Sequence, residues 1–295
     1  MKKIYVAGCG GMLGSSIYSV FSNTYQLKCS DKDTNEDWLT YLDFTVYEDY
    51  LKDVLAFKPD YLMHLGAFTD LEYCQQNSFE TYKNNVMSVE NATLISKLLD
   101  IPLVYISSAG IFDGEKEYYN DWDEANPINI YGESKYQGEN IIKNLLSNYL
   151  ICRAGWMMGG GAKKDKKFIS KILNQIQQGK KELNIVDDKL GTPTYTIDFS
   201  KNLELLLSSN FWGTYNMVCE GLTSRYEVTK EILKILNLEN EIKINKVKSD
   251  FFRKDYFVKR PKSERLLNTK LNLRSLNIMR DWKVCLSEYL INYYD

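Results

Sequence analysis

The chain has 295 residues, with 37 Lys and Arg against 39 Asp and Glu and a formal net charge of -2. This balance leaves no excess of positive charge for a nucleic-acid-binding face. No apolar run approaches the ~18 residues that a membrane-spanning helix requires. Six cysteines are scattered without a Cys-x-x-Cys pair, which is typical of reduced, buried thiols rather than of disulfides or a zinc site. We therefore expect a cytoplasmic enzyme whose partners include neither nucleic acid nor a membrane.

The first half of the sequence alternates short apolar segments with longer amphipathic ones. The apolar segments predict strands at residues 4–7, 27–30, 61–65, 103–107 and 150–153. The segments between them predict helices at residues 15–22, 51–57, 85–99 and 131–148. Such alternation with short connections favours a doubly wound parallel sheet, an α/β fold of the Rossmann type. In that fold the ligand crevice lies beyond the carboxyl ends of the strands.

The pattern becomes less regular in the second half of the sequence. Its predicted elements are a helix at 168–178, a short strand at 185–186 and a helix at 197–207 that returns to the first sheet. The segments predicted for a smaller mixed α/β lobe are 213–218, 227–236 and the tail from residue 283. We therefore predict a dinucleotide-binding domain at residues 1–156, completed by the region 185–208, and a substrate-binding lobe at residues 157–184 and 209–295.

A glycine-rich turn follows the first predicted strand. Gly8, Gly11 and Gly14 are spaced so that the chain can turn tightly from strand to helix. The same glycines let backbone N–H groups approach a pyrophosphate at the helix N-terminus. Met12 and Leu13 lie between the glycines and belong to the predicted cofactor contacts. A plain strand–turn–helix without a ligand is the alternative for this segment.

A second motif places Tyr131 and Lys135 four residues apart in a predicted helix. At that spacing the two side chains face the same way, so the ammonium group can act on the phenol. Such pairs are also common on helix surfaces, so the pair indicates a function only because it occurs together with the glycine-rich turn. A dinucleotide site and an activated tyrosine together predict a nicotinamide enzyme that moves a hydride and a proton.

Many segments match one family in order and spacing along nearly the whole chain. They are Gly8-x-x-Gly11-x-Leu13-Gly14, Leu42-Asp43-Phe44-Thr45, Lys58-Pro59-Asp60, Gly66-Ala67-Phe68-Thr69, Tyr105-Ile106-Ser107-Ser108, Phe112-Asp113-Gly114, Tyr131-Gly132-x-Ser134-Lys135, Arg153-Ala154-Gly155-Trp156, Gly191-Thr192-Pro193-Thr194, Gly213-Thr214-Tyr215-Asn216 and Arg260-Pro261. On these segments the sequence resembles the extended short-chain dehydrogenase/reductases, and within them the dTDP-4-dehydrorhamnose reductase group. The resemblance implies a Rossmann-type fold, NAD or NADP as cofactor and a nucleotide-sugar substrate, and it is compatible with a homodimer.

Other predicted cofactor contacts lie at the ends of later strands. Asp31 follows the second strand, where a carboxylate would bond the ribose hydroxyls and favour NAD. Lys28 and Lys32 would blunt its repulsion of a 2′-phosphate, and a solvated turn residue is the alternative for Asp31. The remaining contacts, at the adenine and along the adenosine and pyrophosphate, are Asp43, Phe44, Leu65, Gly66 and Ala67. For Asp43, an acid near a helix N-cap is the alternative.

Catalysis is predicted to rest on Ser108, Tyr131 and Lys135. Reduction of a ketone needs a hydride on carbon and a proton on oxygen. The pKa of a free tyrosine is about 10, and Lys135 together with the oxidised nicotinamide would lower it. Lys135 would also bond the nicotinamide ribose, and Ser108 would donate a hydrogen bond to the carbonyl oxygen. A strand-end serine that caps its own turn is the alternative for Ser108.

The predicted substrate contacts are Ser108, Ala109, Trp156 and Arg260. Arg260 is expected on the diphosphate, with an ion pair to a surface carboxylate as the alternative. Two stretches depart from the group's pattern. Ala109-Gly110 stands where the group carries Asp-Tyr, whose acid contacts the sugar, and Lys262-Ser263-Glu264-Arg265 replaces the usual residues after Arg-Pro.

The sequence thus predicts NAD(P)H-dependent reduction of a nucleotide-linked 4-keto-6-deoxy sugar in surface polysaccharide synthesis. Two other functions stay open, an NAD-dependent nucleotide-sugar epimerase or dehydratase and a non-catalytic dinucleotide-binding regulatory subunit. We expect no metal, because Ser15 and Ser16 stand just after the glycine motif, where the group's metal-linked dimer uses a glutamate.

Overall fold

The computed structural model describes residues 1–293. Its strands, in chain order, are Lys3–Ala7 (β1), Gln26–Asp31 (β2), Leu39–Tyr41 (β3), Tyr61–His64 (β4), Leu103–Ser108 (β5), Tyr149–Ala154 (β6), Trp156–Met158 (β7), Glu182–Val186 (β8), Leu190–Gly191 (β9), Pro193–Tyr195 (β10), Gly213–Asn216 (β11), Thr223–Ser224 (β12), Lys243–Val247 (β13) and Ser263–Glu264 (β14).

The α-helices, in chain order, are Met12–Phe21 (α1), Tyr47–Phe57 (α2), Leu71–Gln76 (α3), Ser78–Tyr82 (α4), Ser88–Leu99 (α5), Ile130–Leu145 (α6), Gly161–Lys164 (α7), Phe168–Gln177 (α8), Thr196–Ser209 (α9), Arg225–Ile235 (α10), Thr269–Leu273 (α11) and Trp282–Ile291 (α12). A π turn at Lys83–Met87 leads into α5, and 3₁₀ turns lie at Ala109–Ile111 and Ser249–Phe252.

Seven parallel strands form the central sheet, in the order β11-β6-β5-β4-β1-β2-β3. Successive side chains of a strand point to opposite faces, and here both faces are covered. On β1, Ile4 packs in a core cluster that includes Ile17 of α1 and Phe199 of α9. The next residue, Tyr5, packs in a second cluster that includes Val54 of α2. Helices therefore flank the sheet on both sides, and the predicted doubly wound α/β fold is confirmed.

One strand lies in a different sheet from the one that the sequence predicts. The segment 213–218 is predicted for the smaller lobe, yet β11 pairs in parallel with β6, with Gly213 opposite Leu150. The prediction is wrong for this strand because its residues indicate an extended segment but not which sheet it pairs with. The strand reaches the central sheet after α9, which is part of the crossover connection that parallel pairing with β6 requires.

The strands that follow β6, apart from β11, form three small sheets among the described residues. In these sheets β8 pairs with β13, β7 with β10, and β9 with both β12 and β14. The region 185–208 is divided, because β8 joins β13 whereas α9 returns to the central sheet beside α1. There Ser16 Oγ lies 2.7 Å from Thr196 Oγ1. The division of the chain into a cofactor domain and a substrate lobe stays a prediction, with β11 moved to the former.

Candidate active site

A cavity of about 1100 Å³ lies between the carboxyl ends of the central strands and the small sheets. Most of the residues predicted from the sequence for the site line it. These are Gly8, Gly11, Met12, Leu13, Gly14, Asp31, Phe44, Leu65, Gly66, Ala67, Ser108, Tyr131, Lys135, Trp156 and Arg260. The predicted contacts Asp43 and Ala109 do not line it. The fold therefore brings residues from six strand ends to one crevice.

The glycine-rich turn leaves a gap of the kind that a pyrophosphate needs. Gly8 has φ +78°, and a Cβ there would overlap the backbone nitrogen of Gly66. At Gly14 a Cβ would overlap the carbonyl oxygen of Cys9, so both glycines serve close packing. At Gly11, in contrast, a Cβ would meet nothing within 4 Å. Close packing therefore does not explain the glycine at position 11, which faces open space in the cavity.

The N-terminus of α1 is available to an anion. Its N-cap, Gly11, has no side-chain hydrogen bond, and the first turn contains no acidic residue. Uncapped N–H groups and the helix dipole favour negative charge at this end. The turn thus fits the pyrophosphate of NAD or NADP, with Met12 and Leu13 at the edge of the cavity.

Asp31 is bound to the glycine-rich turn itself. Its carboxylate accepts hydrogen bonds from the backbone N–H groups of Gly10, at 2.8 Å, and Asp33, at 3.1 Å. Lys32 beside it lies 2.9 Å from Asp43 Oδ1 and donates to Asn84 Oδ1 at 2.9 Å. Asp31 and Lys32 both line the cavity, so a carboxylate and an ammonium group stand together at the predicted ribose end.

Asp43 lies behind this pair rather than on the cavity surface. Burial opposes its ionisation, but hydrogen bonds from Thr45 and Lys32 outweigh burial and lower the pKa of the carboxyl group. Phe44 lines the cavity, and its ring covers Gly66, where a Cβ would overlap it. The side chain of Asp43 therefore accepts hydrogen bonds within its own turn, whereas Phe44 faces the predicted adenosine position.

Tyr131 and Lys135 lie in the first two turns of α6. Asn129 caps this helix, since its side chain accepts a hydrogen bond from the N–H of Gly132 at 2.8 Å. Burial raises the pKa of Tyr131 to about 12, although a hydrogen bond with Ser108 works in the opposite direction. Burial also lowers the pKa of Lys135 to about 7. Burial thus opposes the lowering of the tyrosine pKa that the sequence predicts, and the effect of Lys135 together with the oxidised nicotinamide stays a prediction.

Ser108 ends β5 and faces the cavity beside Tyr131. Its Oγ accepts a hydrogen bond from the N–H of Gly110 at 3.0 Å, so the serine does cap its own turn. Its hydroxyl also acts on Tyr131, since it works to lower the pKa of the phenol. The two roles considered for Ser108 are therefore compatible, since one hydroxyl accepts from the turn and has a proton left to donate.

A buried amide fixes the segment between β4 and α3. Asn85 Oδ1 accepts from the N–H of Phe68 at 2.7 Å, and Nδ2 donates to Ser134 Oγ at 3.1 Å. Asn85 thus ties the strand-end segment of the cofactor side to α6, which carries Tyr131 and Lys135.

Arg225 and Glu264 are among the cavity residues that were not predicted from the sequence. Arg225 begins α10, and its Cζ lies 4.0 Å from the ring centroid of Trp156 and 4.5 Å from that of Phe168. Burial lowers the pKa of Arg225 to about 10. Glu264 Oε2 accepts a hydrogen bond from Trp156 Nε1 at 2.8 Å. No local pattern marks these residues, because the short strands that place them form by pairing across the chain.

The two arginines near the predicted substrate site have different surroundings. Arg153 is buried and forms two hydrogen bonds, of 2.9 and 2.8 Å, with the carboxylate of Glu139, so it braces α6 against β6. Arg260 lines the cavity and lies 2.8 Å from Glu72 Oε2. The ion pair that was the alternative for Arg260 therefore exists, in the cavity wall.

Residues 1–293 contain no group of three or more His, Cys, Asp and Glu side chains that could hold a metal ion. Within the same residues, no helix is both long and apolar enough to cross a membrane.

The family model described as the RmlD substrate binding domain matches residues 1–294. The chain belongs to this family. A relative from Bacillus subtilis, the spore coat polysaccharide biosynthesis protein SpsK, is 26% identical over 292 residues, which are 98% of this chain and 97% of the relative. The predicted relation to the extended short-chain dehydrogenase/reductases is confirmed.

Solved structures of RmlD-like proteins share the whole architecture. The dTDP-4-dehydrorhamnose reductase of Yersinia enterocolitica has a TM-score of 0.88 and 31% identity, over 99% of this chain and 100% of that one. The dTDP-4-dehydrorhamnose reductase of Bacillus anthracis, solved in complex with NADP, has a TM-score of 0.89 and 26% identity, over 99% of both chains.

Proposed function

We propose that this RmlD-family protein is an NAD(P)H-dependent reductase of a nucleotide-linked 4-keto-6-deoxy sugar, with dTDP-4-dehydrorhamnose as its substrate. The observation that carries the proposal is the convergence of Ser108, Tyr131 and Lys135 on the cavity that the uncapped N-terminus of α1 also faces. Relatives that are dTDP-4-dehydrorhamnose reductases support the choice of substrate. The relative named for spore coat polysaccharide synthesis supports a role in making a surface polysaccharide.

The cofactor, when bound, supplies the hydride to the carbonyl carbon. The proton comes from the protein, since Tyr131 keeps its phenolic proton at neutral pH and can pass it to the carbonyl oxygen. Ser108 donates a hydrogen bond to the same oxygen and stabilises the negative charge that develops there. Lys135 is buried next to the site, and its ammonium group would hold the nicotinamide ribose.

The cavity also suits the two phosphates of a nucleotide sugar. Cationic side chains of the segment before β14 line it, namely Arg253, Lys259, Arg260 and Lys262. Guanidinium groups bind phosphate in two-bond geometry and ammonium groups bind it as point charges. Trp156 also lines the cavity, where its flat apolar face suits a sugar ring.

The experiment is to follow NADPH and NADH absorbance with dTDP-4-dehydrorhamnose and to identify the product. Cofactor oxidation that matches the formation of dTDP-rhamnose supports the proposal. Conversion of the sugar without net loss of NAD(P)H would indicate an epimerase or a dehydratase. Cofactor binding without any conversion, across a panel of 4-keto sugar nucleotides, would indicate the regulatory subunit.

The proposal includes a cytoplasmic location and a homodimer. The nucleotide sugar and NAD(P)H are both supplied in the cytoplasm, and closed homodimers are the commonest assemblies of soluble enzymes. Light scattering of the purified protein measures the assembly, and a monomer at assay concentration would remove the homodimer from the proposal.

A further inference from the structure

The two stretches that depart from the reductase pattern lie against each other in the fold. A Cβ at Gly110 would lie 3.3 Å from Ser108 Oγ, 3.5 Å from Tyr131 Cε1 and 3.7 Å from Glu264 Oε1. The serine, the tyrosine and the carboxylate therefore surround one point, and all three line the cavity. Because Gly110 has no side chain, it leaves the carboxylate open toward the proton donors.

The carboxylate of Glu264 is held in place from one side. Strand β14 pairs in parallel with β9, which sets Glu264 opposite Gly191. The ring of Trp156 lies on Gly191, where a Cβ would overlap it, and its Nε1 donates to Glu264 Oε2 at 2.8 Å. The other oxygen, Oε1, has no hydrogen-bond donor in the described part of the chain. One oxygen thus positions the group and the other is free to bind.

The charge and chemistry of the group define what it can bind. Two cations lie near Glu264, namely Arg225, which stacks on Trp156, and Lys189. A carboxylate accepts hydrogen bonds and donates none. The partner of Oε1 must therefore carry a hydrogen to donate, and a sugar hydroxyl beside the reacting carbonyl is such a group.

We propose that Glu264 is a specificity-determining residue whose Oε1 accepts a hydrogen bond from the substrate hydroxyl next to the reacting carbonyl. The proposal rests on the reductase function proposed above. In a 4-keto-6-deoxy sugar the neighbouring hydroxyl is the one on C3, since C5 carries the methyl group. Ser108 and Tyr131 take the carbonyl oxygen and Glu264 takes the hydroxyl, so the site recognises an α-hydroxy ketone.

The proposal is tested by calorimetric titration of the NADP-loaded protein with dTDP-rhamnose, its 3-deoxy analogue and dTDP. A hydrogen bond to a charged group corresponds to ~10- to 100-fold in affinity. The wild type should therefore bind dTDP-rhamnose more tightly than the 3-deoxy analogue by that factor. In Glu264→Gln, which keeps an acceptor for Trp156, the ratio should fall toward one, while dTDP binds as before.

The matched control is Glu117→Gln. Glu117 pairs with Arg265, the residue after Glu264, on the outside of the molecule. This variant should keep the wild-type ratio. A ratio of one in the wild type, or the same ratio in Glu264→Gln, overturns the proposal. The wild-type ratio needs no variant, so the test stands even if Glu264→Gln is unstable. A protein that discriminates the two sugars but oxidises no NADPH fails the proposed function and keeps the role of Glu264.

Discussion

Lys135 Nζ lies 4.2 Å from the centroid of the Tyr105 ring. The ammonium group thus rests on a buried aromatic face of β5, while α6 and β5 together exclude water from it. Burial is the main cause of its lowered pKa of about 7, and the charge of Glu139 works in the opposite direction. At any pH at which this buried lysine carries its charge, it therefore lowers the stability of the folded protein.

Lys135→Met should raise the melting temperature of the cofactor-free protein at pH 6 by several degrees. A cation–π contact contributes about 0.5–2 kcal/mol. The lowered pKa implies a larger cost, since each pKa unit corresponds to ~1.4 kcal/mol. The folded-state pKa lies below the ordinary lysine value of 10.5, so the cost is complete below pH 7 and fades as pH rises toward 10.5. The stabilisation should therefore shrink between pH 7 and pH 10.

The control for this measurement is Lys97→Met, on the exposed side of α5. It should leave the melting temperature nearly unchanged at both pH values. A Lys135→Met protein that melts below the wild type at pH 6 would show that the contact with Tyr105 outweighs the burial of the charge.

Tyr131→Phe keeps the ring and removes the proton donor. Turnover should fall ~10²–10⁴-fold, the usual contribution of general acid catalysis, with the Kd for NADPH nearly unchanged. Because burial raises the pKa of Tyr131 to about 12, the wild type should not lose this donor below pH 10. A fall in kcat/KM for NADPH between pH 7 and 9 would then report Lys135. Steady-state kinetics of both proteins give these values, and full activity of Tyr131→Phe would exclude the residue as the donor.

Local patterns were sufficient to predict the fold and much of the cavity. The strand before Gly8 and the i,i+4 spacing of Tyr131 and Lys135 depend only on residues that are close in the sequence. Such features can be recognised from the sequence alone. Arg225 and Glu264 could not be found in this way. They enter the cavity from β14 and the start of α10, whose positions depend on pairing between distant parts of the chain.

The electrostatics of the site also depend on distant residues. The sequence shows that Lys135 and Tyr131 share a helix face, but not that Tyr105 lies under the ammonium group. Nor does it show how much water the surrounding layers exclude, and burial is the main cause of both pKa shifts. The placement of β11 was missed for a related reason, because the local sequence of a strand does not determine which sheet it joins.

Gly11→Val should abolish NADPH binding and leave the fold intact. A Cβ at this position meets no protein atom within 4 Å, so the valine would occupy only the space assigned to the pyrophosphate. Gly14→Ala is the contrasting variant, since its Cβ would overlap the carbonyl oxygen of Cys9 and should destabilise the protein itself. Melting curves and NADPH fluorescence titrations separate the two effects. A Gly11→Val protein that binds NADPH as the wild type does would remove the glycine-rich turn from the cofactor site.

Arg260→Ala should raise the KM for the sugar nucleotide ~10- to 100-fold, the value of a hydrogen bond to a charged group, and leave the KM for NADPH unchanged. The guanidinium is partly exposed, at 27% of its side-chain surface, so losing its pair with Glu72 should cost little stability, about 0–1 kcal/mol. Arg260→Lys should recover only part of the affinity, because an ammonium group cannot bind phosphate in two-bond geometry. Arg265→Ala, at an arginine that does not line the cavity, is the control. If Arg260→Ala lowers the melting temperature while the KM for the sugar nucleotide stays as in the wild type, Arg260 only braces Glu72, and the diphosphate must bind to other cations of the cavity.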